Sequence, residues 1–444
     1  MIEVSPEILT AVMLGALILG VISGYPLAIV VGAIALISGY MVWGNSIVNL
    51  IYPRMINLTM TYVILAVPCF VFMGFMIERS GIADKMYEAL YLWLGGVRGG
   101  LASITVLIGT ILAASVGIIG ASIGMLSLIA LPAMIKRGYD KSLACGAVCA
   151  GGCLGILIPP SVMLVVYGPM AGVSVGKLFM GAFVPGFLLS GLYIAYITLR
   201  CLVQPSAGPP VPPEERNISF SKKIVMLLTS MLPPALLIFS VLGTIFLGIA
   251  PPTEAAGIGA FASIILAAVY RKLNWKVISD TATSTLKLTS MIAFVGAMAF
   301  IFTGVFIGAG CGDVIRELVL AAPGGKWGIF AIIMFIVFLL GFFLDWIGIV
   351  FIMIPIITPI SADLGFDPIW FSLMMCVNLQ MSFMTPPFAP GIFFLQASAK
   401  PELGITTGHI IKGVIPFIVI VMIGLGLCIA FPQIILWLPS KMIR

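Results

Sequence analysis

Residues 155–160, GILIPP, close a run of small residues, and residues 382–387, SFMTPP, close a second apolar run. Each motif puts two adjacent prolines inside a stretch otherwise long enough to cross a bilayer, which takes about 20 apolar residues as a helix. A proline removes an amide donor and clashes with the preceding turn, so a diproline breaks a helix and frees carbonyls. In lipid an unpaired amide or carbonyl costs several kcal/mol, and irregular backbone at that depth persists only inside protein or beside a wet cavity. A kinked helix packed among neighbours would satisfy either motif taken alone. Two motifs of one kind ask for a common cause.

Composition sets the class. With 61% hydrophobic and 9% charged residues over 444 positions and a mean hydropathy of +1.23, the chain lies far from the roughly half apolar, quarter charged make-up of soluble domains. It reads as an all-α integral membrane protein. Apolar runs recur from residue 8 to residue 437, leaving room for about ten to twelve membrane elements and for no soluble domain. Glu3 and Glu7 stand where a secretory signal would carry lysines, so the first run is read as a retained span. The formal charge of +6 sits in loops and reports topology, with no nucleic-acid partner implied. A single histidine, His409, leaves no hydrolytic dyad and no metal-ligand spacing. Cys145, Cys149 and Cys153, at i, i+4 and i+8, then read as small packing residues. No nucleophile, base and orienting group can be assembled, which disfavours a membrane-embedded enzyme.

Runs at about 7–23 and 25–43 precede an amphipathic link at 45–57, a run at 58–77 and an amphipathic piece at 82–94. The apolar block 101–135 is too long for one crossing and too short for two, so it reads as a re-entrant hairpin with its tip in SVGIIGAS at 115–122. A broken helix at about 140–172 and a span at 177–200 follow. The polar stretch 204–223 reads as a cytoplasmic linker between halves 1–203 and 224–444. The second half offers spans at 224–249, 255–270 and 287–307, a second hairpin block at 326–360, a broken helix at about 367–398 and a last span near 410–437.

The halves repeat. An offset of 227 residues, 386 minus 159, also carries Pro132 to Pro359, Gly138 to Gly365, Tyr139 to Phe366 and Asp140 to Asp367. Unrelated membrane helices would share leucines, not punctuation. The loop KRGYDK at 136–141 is basic and predicted cytoplasmic, whereas its counterpart ADLGFD at 362–367 has no basic residue. Equivalent loops on opposite sides predict inverted repeats about an axis in the membrane plane, as in many secondary transporters, with both termini periplasmic.

The breaks and tips then supply candidates. Freed carbonyls and nearby hydroxyls are hard ligands suited to Na⁺, and a helix restarting after a break favours an anion at its positive end. Ser115, Ser122 and Ser161 lie near the first break, and Ser382 and Thr385 near the second. Asp345, near the second tip, is an ionisable group at membrane depth. Its roles stay open between attracting a cation, capping the tip and coupling to protons. Glu254 reads as an ordinary acidic first turn.

Residues 132–168, 344–394 and 251–261 together resemble the large membrane subunit of tripartite ATP-independent periplasmic (TRAP) transporters, the DctM-like family of the ion transporter superfamily. The resemblance covers essentially the whole chain. It implies a bacterial inner-membrane importer of an organic acid, often a carboxylate, driven by a Na⁺ gradient. Scaffold helices at 1–57 would brace an elevator domain holding both hairpins and both broken helices. Implied partners are a periplasmic substrate-binding protein and a small four-helix membrane subunit, a separate chain here, besides membrane lipid. A first Na⁺ would lie among Ser115, Gly117, Gly120, Ser122, Gly155, Pro159 and Ser161. A second would lie among Gly341, Asp345, Gly348, Ser382, Thr385 and Pro386. Ser122, Ser161 and Thr385 are the substrate candidates. The family's first tip commonly reads Ser-Gly-Ser, where this chain has Val116-Gly117-Ile118, so a first ion site would rest more on carbonyls. A stand-alone Na⁺-coupled carboxylate symporter of the same superfamily is the alternative.

Overall fold

Ser5 accepts from the amide of Ile8 and Pro6 fills the first helical position, a start signal that opens helix α1 (Pro6–Ile22). The structure, a computed structural model, describes residues 5–387 and 389–442, and for residues 114–116 it describes the backbone alone. Among the described residues nine helical stretches are long and apolar enough to cross a membrane. The fold is all-α.

α2 (Leu27–Trp43) continues through a 3₁₀ turn into α3 (Val48–Met60), and a further 3₁₀ turn at Tyr62–Leu65 leads into α4 (Ala66–Arg79). The amphipathic α5 (Ile82–Leu94) then delivers the chain to α6 (Gly100–Val116) and α7 (Ile119–Lys136). These two form a helical hairpin turning at Gly117, and its open end is closed where the amide of Leu101 donates to Tyr139 Oη at 3.1 Å. The first broken helix comprises α8 (Lys141–Cys153), a 3₁₀ turn at Leu154–Ile156, the diproline, and α9 (Val162–Ala171). α10 (Val175–Val203) ends the first half.

The segment read as a linker holds two 3₁₀ turns, and its last four residues already belong to α11 (Phe220–Phe246). α12 (Pro252–Val269) and α13 (Trp275–Gly308) follow. α13 starts well before the expected 287 because Asn274 caps it, accepting from Val277 N at 2.9 Å, and its first turns are polar, so a search for apolar runs passes over them. α14 (Cys311–Leu320), a short amphipathic helix, was not expected from the sequence. α15 (Gly325–Leu340) enters the second hairpin. The return arm is less regular: one turn, α16 (Trp346–Gly348), a π-helical turn at Ile349–Met353, then α17 (Ile354–Asp363). α18 (Pro368–Ser382) and α19 (Pro390–Ser398) flank the second diproline. α20 (Thr407–Ala430) stops short of the expected 437 because Pro432 cannot continue it, and α21 (Gln433–Leu436) is a separate turn.

Matched positions adopt matched local structure. Gly138 and Gly365 both have positive φ, 76° and 66°, where a side chain would strain the backbone. Asp140 caps α8 through the amides of Ser142 and Leu143, and Asp367 caps α18 through those of Ile369 and Trp370. Pro159–Pro160 and Pro386–Pro387 are both cis.

α8 sits at the centre, enclosed by α6, α7, α19 and α20. Small residues allow it: a methyl on Gly109 of α6 would lie 2.7 Å from the carbonyl of Gly151, and one on Gly146 would overlap the carbonyl of Gly413 in α20. Close helix contact through glycine is the usual way to pack helices where lipid offers no hydrophobic drive. At one end of the molecule, Arg137 pairs with Glu215 of the linker while Tyr91 of α5 donates to the same carboxylate at 2.9 Å. The Tyr91 bond first, and then the Arg137 bond, hold the Glu215 carboxyl below its ordinary range. Arg200 and Asp140 add a pair at 3.2 Å, so this end gathers the basic loops.

Gly146→Leu should therefore drive α8 and α20 apart at a cost of about 1–3 kcal/mol or more, lowering the thermal midpoint of the detergent-purified protein. Gly191→Ala, at a position with nothing within 4 Å, should leave that midpoint unchanged.

Candidate functional site

Gly117 turns the first hairpin at a φ of 63°, and that turn sets the tip against the broken helix. A methyl there would lie 3.3 Å from Val162 N and 3.5 Å from the Pro160 carbonyl oxygen. A methyl on Gly155 would lie 3.1 Å from Ser122 Oγ and 3.8 Å from the Ile118 carbonyl oxygen. Glycine at 155 thus keeps open a small space that faces a hydroxyl and a carbonyl. Ser122 is fully buried, and its Oγ has no hydrogen-bond partner among the described residues. Ser161, also fully buried, donates to the Ile156 carbonyl at 2.5 Å, which commits its proton and leaves its lone pairs available.

In the second half a glycine again faces a buried serine on another element, here in direct contact with it. A methyl on Gly341, where α15 ends, would lie 2.7 Å from Ser382 Oγ, where α18 ends. Ser382 is fully buried with an unpartnered Oγ. Two residues earlier, Gln380 is fully buried and both its amide atoms lack partners among the described residues. Asn378 donates to the Met334 carbonyl at 2.8 Å, tying α18 to α15. A buried polar group left unpaired costs about 1–3 kcal/mol. Oxygens that keep their lone pairs in a dry space are hard ligands for a cation. No group of three or more His, Cys, Asp or Glu that could hold a metal occurs among the described residues, and the oxygens gathered at these two places belong to hydroxyls, carbonyls and a side-chain amide.

The other candidates lie elsewhere. Pro159 is buried within the first break and Pro386 is half-buried within the second. Thr385 donates to the Met381 carbonyl at 2.8 Å. Gly348 packs against Leu27 of α2, away from Ser382. Gly120 lies beneath the Phe394 ring, 3.0 Å from where its Cβ would be. The Ser115 side chain lies outside the described residues. Asp345 caps the second tip, accepting from Trp346 N at 2.8 Å.

Asp345 also lines a cavity of about 330 Å³ together with Glu78 of α4, Ile118–Ala121 of the first tip, Val162 at the start of α9, and Phe394 of α19. This chamber brings both hairpin tips to one space. α7 starts at Ile119 and its first internal bond is Ser122 N to Ile118 O, so the amides of Ile119, Gly120 and Ala121 have no intrahelical partner at the chamber wall. An adjoining cavity of about 350 Å³ shares Glu78, Gly120 and Ala121 and runs along α7 past Asp84 to Ile129. None of the substrate candidates Ser122, Ser161 and Thr385 lines the chamber. Sequence reasoning passed over Glu78 because the apolar run ended one residue before it. It passed over Gln380 because a glutamine inside an apolar run carries no charge signal.

Ser122→Ala and Ser382→Ala should be neutral or slightly stabilising in buffer with choline as the sole monovalent cation, because each removes an unpaired buried hydroxyl. Ser161→Ala should cost about 1–3 kcal/mol there, because it strips a buried carbonyl of its donor. Thermal midpoints of the purified variants check both.

The profile of the "Tripartite ATP-independent periplasmic transporter, DctM component" matches residues 10–434. The C4-dicarboxylate TRAP transporter large permease protein DctM of Pseudomonas aeruginosa is 32% identical over 382 residues, spanning 85% of this chain and 86% of that protein. Its namesake in Vibrio cholerae is 29% identical, spanning 94% and 95%. The YdaH transporter of Alcanivorax borkumensis shares the fold, with a TM-score of 0.63 at 14% identity over 88% of this chain and 89% of that one. The chain is a multi-pass membrane protein of the DctM family, the large permease subunit of a TRAP transporter.

Proposed function

We propose that this subunit imports an organic acid across the bacterial inner membrane, driven by Na⁺ bound where each hairpin meets a broken helix. The two P. aeruginosa and V. cholerae relatives bear the name of C4-dicarboxylate permeases, which supports a carboxylate cargo. A periplasmic binding protein delivers it, and a small four-helix membrane subunit braces the scaffold. The observation that carries the reading is the pair of fully buried serines, Ser122 and Ser382, each with an unpartnered hydroxyl turned on a glycine of the opposite element, Gly155 and Gly341.

Each site joins a hairpin to a break, so a bound ion ties the tip to the helix behind it. Na⁺ thereby organises the chamber wall made of Ile118–Ala121 and Val162, where α7 and α9 present their positive ends to an anionic group. The hairpins and broken helices then move as one body against the α2, α4 and α11–α13 scaffold, an elevator stroke that carries cargo and ions together. The adjoining cavity runs along α7 toward the end that carries Arg98, Lys136 and Arg137. By the positive-inside rule that end is cytoplasmic, which makes this the inward-facing state and puts both termini in the periplasm.

Uptake into vesicles containing the assembled transporter should stop when external Na⁺ is replaced by K⁺. Unchanged uptake would refute the coupling. Ser122→Ala and Ser382→Ala, which keep their stability in choline, should each raise the Na⁺ concentration for half-maximal uptake about tenfold, the equivalent of about 1.4 kcal/mol of lost coordination.

A further inference from the structure

The charged side chains lining the chamber are Glu78 and Asp345, both acidic, and no Lys, Arg or His is among the described lining residues. Arg79 follows Glu78 in sequence but is held on α13, donating to Thr281 Oγ1 at 3.0 Å and Ser284 Oγ at 2.8 Å, with its guanidinium over the Phe75 ring. Glu78 Oε2 is buried and has no hydrogen-bond partner among the described residues. Asp345 uses Oδ1 to cap Trp346, which leaves its second oxygen for the chamber. One turn beyond Thr281 on the same helix, Thr285 is 9% exposed and its Oγ1 is likewise unpartnered.

We propose that the chamber accepts an organic acid that also bears a protonated nitrogen, with Glu78 and Asp345 receiving the cationic end. This rests on the transport reading above and adds the charge class of the cargo. A plain dicarboxylate entering the chamber sets two more negative charges beside two carboxylates in a confined space, where like charges repel. A carboxylate with an ammonium group divides itself between the walls. Its anionic end faces the free amides of Ile119–Ala121 and its cationic end faces Glu78 and Asp345. Phe75, Trp346 and Phe394 line the same space, and aromatic faces attract organic cations. Glu78 is the residue that sets this preference on the scaffold side, opposite the moving tips.

The test is binding of paired acids to the detergent-purified transporter in Na⁺ buffer, each pair differing only in an aminomethyl group for a carboxylate. Succinate with 4-aminobutyrate, glutarate with 5-aminovalerate, and malate with 4-amino-3-hydroxybutyrate serve as probes. In at least one pair the ammonium member should bind about tenfold more tightly, the discrimination expected when a charge in a confined wall is matched instead of opposed. Glu78→Gln should reduce that ratio to about twofold or less, and Glu78→Asp should preserve most of it. Equal or tighter binding of the dicarboxylates, no binding by any ammonium member, or an unchanged ratio in Glu78→Gln overturns the proposal. The wild-type ratio decides even where a variant fails to purify. Na⁺-dependent uptake of a dicarboxylate would sink this inference alone, whereas uptake indifferent to Na⁺ would sink the transport reading whatever the charge preference.

Discussion

A bilayer gives an exposed amide or carbonyl no water to bond with, and this protein breaks its helices at membrane depth regardless. The irregular backbone at Gly117, Gly155 and Gly341 in each case has a neighbour packed against it. The Gly117 turn rests on the backbone at Pro160–Val162, and Gly155 rests on Ser122. Gly341 rests on Ser382. Hairpin tip and helix break are thus one unit, built twice, and neither half of the unit would be tolerated without the other. The close approach uses glycine on one side, against backbone at Pro160–Val162 and against a serine at Ser122 and Ser382, and small residues accordingly cluster where the chain is most irregular.

The packing around the breaks follows from the same need. Beyond Leu143, α8 carries no side chain larger than valine, residues 143–153 are all buried, and helices α6 and α20 reach its backbone through glycines at 109, 151, 146 and 413. A core of that density holds a broken helix in register without side-chain bulk. Rigidity in this block and open space at the chamber are complementary properties. Ser122 and Gly155 lie inside the dense block, while the chamber lies at its margin, between Glu78 on α4 and the two tips.

Much of the fold was legible because its signals are punctuation. Pro-Pro, Gly138 with Gly365 and Asp140 with Asp367 have fixed physical meanings, namely a break, a left-handed turn and a helix cap, and these stand in the same register in both halves. Less was legible where hydrophobicity was the only guide. The polar first turns of α13 and the amphipathic α14 have no apolar run to announce them. The site was legible as a list but not as a geometry. Ser122, Gly155, Ser382 and Gly341 come together across distant segments, whereas Gly348 turns to α2 and Asp345 faces the first tip instead of the second break. Periodicity along one helix says nothing about which tip it will meet. Glu78 was hidden for a different reason: at the end of an apolar run, next to an arginine, it has the look of an interfacial residue, and only the placement of the first tip makes it a chamber wall.

The most direct measurement is a pair of high-resolution maps of the assembled transporter, one in Na⁺ and one in K⁺. The ion-site assignment requires compact density between Ser122 Oγ and the Ile118 carbonyl, and again beside Ser382 Oγ, in Na⁺ and not in K⁺. Side chains or lipid filling both gaps in Na⁺, with the serine hydroxyls bonded to their own helices, would contradict it.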